Sequence, residues 1–154
     1  MRFAISVDIR ATPEEVWYWL GDPERAKTWM TSVTHTEYID RTPDMIGSTF
    51  RETVEEDGRG TELQGVIVDF APNERMAFHL EGDYNTADVT FTLEEDEGIT
   101  RLTQTADVRF KGIIRVLSLL FGRTFKKNIT RQAEGEFATL KALCEAKRCQ
   151  RGTK

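Results

Sequence analysis

Glu52, Gln64 and Gln104 are polar residues set into stretches whose alternate positions are apolar, and such groups in an oily wall can anchor or polarise a small molecule. If Phe50 and Val54 point inward, period-two alternation sends Glu52 inward with them. In the same way Val66 and Val68 carry Gln64, and Leu102 and Ala106 carry Gln104. A buried amide or carboxylate without a partner costs on the order of 1–3 kcal/mol, so each must meet a neighbour, a water, solvent at a strand end, or a ligand. His35 and Glu37 are weaker candidates. Their segment, VTHTEYI, has no clear apolar face and its register stays open.

Other chemistry finds little support. Acid–base catalysis needs a positioned pair; Glu52 is available, with His35 as a distant second, but no spacing links them. His35 and His79 have no further ligands at metal-binding intervals, and neither C-x-x-C nor H-E-x-x-H occurs. G-x-S-x-G and the phosphate-binding loop are also missing, and EEDGRG, flanked by strand-like residues and acids, reads as a hairpin turn. No metal and no cofactor is expected. A net charge of −5 argues against nucleic acid as a partner. Arg123, Lys126, Lys127 and Arg131 do cluster, in the manner of a solvated helix face.

The elements that must position these residues are legible from period and punctuation. FAISVDI alternates with Phe3, Ile5, Val7 and Ile9 on one side, as a half-buried strand does. Thr12, Pro13 and Glu15 form a capping box with proline at the first helical position, Gly21 can end that helix, and Asp22-Pro23 starts a second one running to Trp29. From residue 33 to 110, five turn-like breaks, DRTPDMIG, EEDGRG, APNER, EGDYN and EEDEG, divide β-branched and aromatic runs into six strands, close enough to pair as an antiparallel meander. After Gly112 the period is helical to about residue 147, with Phe125, Ile129, Ala133 and Phe137 at steps of four and Leu140 and Cys144 extending the stripe; Gly122 can interrupt it. One domain over 1–147 is expected, with a frayed tail at 148–154. Cys144 and Cys149, five apart on a helix, point in different directions and should not pair.

This order of elements resembles the helix-grip fold of the START-related SRPBCC superfamily, and within it the polyketide cyclase/dehydrase-like group. The likeness rests on ATPEEVWYWLGDPER at 11–25 with Trp29 and Met30, IGST at 46–49, VDFAPNERMAF at 68–78, GITR at 98–101 and LKALCEA at 140–146. It covers nearly the whole chain. It implies an α+β fold in which a seven-stranded antiparallel sheet grips the C-terminal helix over an apolar cavity. The two short helices would close one end, with Trp17 and Trp19 in the floor and Trp29 at the edge.

A lining of Trp17, Trp29, Phe50, Phe78, Phe91, Phe125 and Ile129 is expected, each on the apolar face of its own element, with Glu52, Gln64 and Gln104 as polar anchors. The function implied is binding of a hydrophobic small molecule, such as a lipid, isoprenoid or polyketide-like compound, for storage, transport or sensing. The alternative is a metal-free cyclase or dehydratase in the same cavity. No apolar run approaches the ~20 residues that span a bilayer, and the start lacks a secretory signal, so a cytoplasmic monomer or homodimer is expected. GIIRVLSLLFG is read as an entrance helix packed over the pocket, with transient membrane contact as the other possibility.

Overall fold

The computed structural model describes residues 1–56 and 58–151, with the side chains of 56 and 147–151 also outside the description. Strand β1 (Arg2–Ile9) leads through Ala11 into α1 (Pro13–Leu20) and α2 (Pro23–Trp29). The capping box forms as its residues dictate: Thr12 Oγ1 accepts from the Glu15 amide at 3.2 Å, and the Glu15 carboxylate accepts from the Thr12 amide at 3.2 Å. Asp22 caps α2 more simply, its side chain accepting from the Glu24 amide at 2.9 Å.

Six strands follow: β2 (Val33–Asp40), β3 (Thr49–Glu56), β4 (Arg59–Ala71), β5 (Arg75–Glu81), β6 (Asn85–Asp96) and β7 (Ile99–Phe110). They pair antiparallel in the order β1-β7-β6-β5-β4-β3-β2, a meander whose last strand takes β1 along its edge. The hairpin between β6 and β7 turns on Glu97 and Gly98, both at positive φ (50° and 80°), the geometry that suits a two-residue connection. Asp57, inside the expected EEDGRG turn, lies outside the described residues.

Helix α3 (Gly112–Arg151) crosses the concave face. Its seat is its C-terminal half, where Ala133, Phe137, Leu140 and Cys144 are buried among Ile5, Ile9, Val16 and Leu102. Thr100, fully buried, donates its hydroxyl to the Ala11 carbonyl at 2.7 Å and ties the start of β7 to the link before α1. The expected interruption falls at Phe121, whose backbone (φ −120°, ψ 21°) leaves the helical region one residue before Gly122. Upstream of that kink the helix is not packed over the cavity, contrary to expectation: Ile113, Leu119 and Leu120 are 76%, 81% and 72% exposed. Among the described residues no helix is long and apolar enough to cross a membrane. The backbone of α3 continues to Arg151, past the expected boundary at 147; the Cys149 side chain and residues 152–154, on which the cysteine and tail readings bear, lie outside the described residues.

Candidate functional site

Between the sheet and the two short helices lies a cavity of about 160 Å³, many times the space of one water. Strands β3, β5 and β6 supply Phe50, Phe78 and Phe91, with ring centroids 5.8 Å apart for the first pair and 6.0 Å for the second. The aromatic chain continues from Phe91 to Phe137 and from Phe137 to Trp29, each at 6.4 Å. Phe50 lies where it does because its cross-strand partner is Gly65; a Cβ at that position would overlap the ring. Trp29 is held by its indole N–H, which donates to the Trp19 carbonyl at 3.2 Å.

Against this apolar lining stand four polar side chains: Thr36, Tyr38, Glu52 and Gln104. Thr36 and Glu52 are direct cross-strand partners on β2 and β3. The Thr36 hydroxyl is buried without a hydrogen-bond partner, and no described residue hydrogen-bonds to the Glu52 carboxyl. Burial in this setting pushes the Glu52 carboxyl up from its ordinary 4.5 to about 7, with the negative charge of Glu136 adding to the effect. Gln104 comes from the far wall, on β7, between Phe91 of β6 and Ile5 of β1. Tyr38 stands where the cavity meets the surface: together with Gly21 and Pro23 it also lines an outer hollow with Asp22 and Arg41, and the Arg41 guanidinium lies 4.4 Å from its ring centroid. Burial raises the Tyr38 hydroxyl above its usual range, against the pull of Arg41.

Of the expected lining, the structure thus brings together Trp29, Phe50, Glu52, Phe78, Phe91 and Gln104. It does not bring Trp17, which packs edge-on against Phe70 with centroids 5.4 Å apart and is half-buried against the core. Gln64 is exposed: on β4 the inward residues are Leu63, Gly65 and Ile67, while Val68 is 53% exposed, so the expected register is reversed by one residue. Phe125 and Ile129 also miss the cavity. They are half-buried on the first half of α3, Phe125 against Phe110 at 6.2 Å, upstream of the seat that begins at Ala133. His35 and Glu37 face outward as a pair at 3.6 Å, with Arg51 at 3.2 Å from Glu37.

Glu136 was not foreseen. It is buried on α3 and its Oε1 accepts from the Thr31 amide (3.1 Å), the Thr31 hydroxyl (3.3 Å), the Ser32 hydroxyl (3.4 Å) and the Gln132 amide (3.4 Å). The signal was available in the stripe itself, since position 136 falls three after Ala133 and one before Phe137, on the same helical face. Thr36 and Tyr38 were hidden by a bulge in β2 between Val33 and His35, which changes the alternation and turns Val33, Thr36 and Tyr38 all inward. Among the described residues no three side chains of metal-ligating type gather at one point.

A curved antiparallel sheet around a C-terminal helix, with two short helices closing a cavity, defines a helix-grip protein of the START/SRPBCC superfamily. The chain belongs to the family described as polyketide cyclase / dehydrase and lipid transport, whose sequence profile matches residues 1–145. Three solved structures share the fold at low identity. The TTHA0849 protein of Thermus thermophilus is 18% identical over 95% of this chain and 98% of its own, with a TM-score of 0.79. The Zhui aromatase/cyclase of a Streptomyces species is 14% identical over 94% and 93%, at 0.77. A START superfamily protein of Mycobacterium smegmatis is 20% identical over 90% and 98%, at 0.67. No curated protein matches the sequence.

Proposed function

We propose that this protein binds a hydrophobic small molecule in the cavity, a lipid, isoprenoid or polyketide-like compound whose one polar group is a carbonyl or carboxylate directed at Thr36 and Glu52. The observation that carries the reading is the pairing of an aromatic lining with two adjacent polar groups, a buried Thr36 hydroxyl without a hydrogen-bond partner and a Glu52 carboxyl to which no described residue hydrogen-bonds. A carboxyl pushed up to about 7 still carries its proton in a substantial share of molecules at neutral pH, and that form can donate a hydrogen bond to an acceptor oxygen. The family's description, which includes lipid transport, supports binding.

One observation favours a second reading. A carboxyl poised near neutrality is also suited to proton transfer, and the Zhui aromatase/cyclase shares the fold. Binding is the stronger conclusion because catalysis calls for a second group within reach of the same substrate atom, and Glu136, the acid whose charge acts on Glu52, already has its Oε1 occupied by four donors.

The test is titration with a fluorescent polyene fatty acid. Wild type should bind it, and Val89→Trp, which fills the cavity from β6, should lower affinity at least about tenfold, equivalent to ~1.4 kcal/mol, while keeping its circular dichroism. A folded Val89→Trp variant with wild-type affinity would remove the cavity from the account.

A further inference from the structure

The first turns of α3 present an apolar surface that the fold leaves uncovered. Ile113, Val116, Leu117 and Leu120 fall at i, i+3, i+4 and i+7, a single stripe, and they are 76%, 56%, 37% and 72% exposed; Leu119 and Phe121 widen it. Ile114 and Ser118, one turn apart on the opposite side, are the residues that face the protein. A helix with its apolar stripe turned to water is unfavourable unless something covers that stripe.

The charges around it say what. Between Asp107 and Glu134 the chain contains no acidic residue, although its net charge is −5. Arg115 lies within the apolar segment, and Arg123, Lys126, Lys127 and Arg131 follow the kink at spacings that place them on one helical face. None of these five cations pairs with an acid among the described residues. We propose that this end of α3 docks on an anionic membrane surface, its apolar stripe entering the headgroup boundary and its uncommitted cations resting on lipid phosphates. A second copy of the chain fits less well. A two-fold contact sets a patch against itself, and here that would bring the five cations of one copy towards those of the other. The segment from Gly112 to Phe121 is about 15 Å long as a helix, which suits lying in the interface and not crossing it.

The surface is separate from the cavity, whose mouth at Gly21, Pro23 and Tyr38 is built by α1, α2 and β2. Docking can therefore be tested without any knowledge of the ligand. The purified protein is sedimented with vesicles of neutral phosphatidylcholine or of phosphatidylcholine containing roughly one-third phosphatidylglycerol, the anionic surface that should attract it. Binding should be at least about tenfold tighter on the anionic vesicles and should weaken sharply in about 1 M salt, where the Debye length falls to about 3 Å. Leu119→Glu/Leu120→Glu alters only exposed side chains, so its melting temperature should match wild type while vesicle binding is lost. Lys126→Gln/Lys127→Gln should lower anionic-vesicle affinity on the order of fivefold per charge removed and leave neutral vesicles unaffected. Equal or absent binding on both vesicle types, or wild-type binding by the leucine variant, overturns the proposal. So does a dimer, seen by sedimentation equilibrium without lipid, that the leucine variant fails to form.

Discussion

Glu136 and Glu52 are the same side chain on two walls of one interior, and their surroundings are opposite. Glu136 sits in the helix seat, with donors from Thr31, Ser32 and Gln132 converging on one oxygen and Phe137 beside it against Trp29 and Phe91. Glu52 sits across the cavity with no donor among the described residues, opposite a threonine hydroxyl that has no partner among them either. Evolution of a stable core would satisfy both or replace both with apolar residues, since an unmet buried polar group is destabilising. The difference separates a region that holds the fold from a region left open for an occupant. A polar wall that weakens the empty protein is intelligible if the occupant completes it.

The contrast can be broken most forcefully at the seat. Glu136→Ala leaves the Thr31 and Ser32 donors without an acceptor beneath the end of α2, and stability in urea should fall by about 3–4 kcal/mol. A loss under about 1 kcal/mol would mean that water replaces the carboxylate readily, and that the seat is no better satisfied than the wall.

On the wall the sign should reverse. The folded Glu52 carboxyl keeps its proton to about pH 7, whereas in the unfolded chain it ionises near 4.5. Between those values the native state binds more protons, so the Glu52 contribution to stability declines as pH rises from 4.5 to 7 and is level above. Glu52→Gln abolishes that decline. The variant should be more stable than wild type by about 2 kcal/mol near pH 8, the advantage shrinking to nothing by about pH 4. Thermal melts across the range would show it, and a variant less stable than wild type at high pH would contradict the assignment. The smallest effect is expected at Thr36→Val, which swaps an unmet hydroxyl for a methyl of the same shape and should stabilise the empty protein by about 1 kcal/mol. Destabilisation there would reveal a hydrogen bond on the wall and soften the comparison.

What was legible in the sequence, and what was not, follows from how each element signals its faces. Uninterrupted alternation carried Glu52 inward with Phe50, and Gln104 inward with Leu102 and Ala106, because only one face of those strands is apolar. In β4 both faces are: Val66 and Val68 compete with Leu63 and Ile67, and Gly65, the residue that makes room for Phe50, carries no hydrophobic signal at all. That ambiguity is what points Gln64 inward when the strand is read from sequence alone. In β2 the bulge after Val33 defeats any strict period and hid Thr36 and Tyr38. For α3 the stripe from Phe125 to Cys144 named the correct face, but helical period says nothing about how far the seat extends, and it begins only at Ala133. Trp17 is expected on the apolar face of α1, but the neighbour that claims it is Phe70 of the sheet. The order of elements was readable throughout, because caps, turn residues and short spacings constrain it locally.

The most direct test of the open wall is the affinity of the fluorescent polyene fatty acid followed from about pH 6 to pH 9, in wild type and in Glu52→Gln. A protonated Glu52 donates to the probe's carboxylate and an ionised one repels it. Wild-type affinity should therefore fall as pH rises through about 7, approaching the limit of about tenfold per pH unit for one linked proton. In Glu52→Gln, where an amide N–H takes the place of the acid, affinity should stay level over the same range. Wild-type binding that ignores pH, or an equal decline in the variant, would contradict the claim that Glu52 is the polar anchor of this cavity.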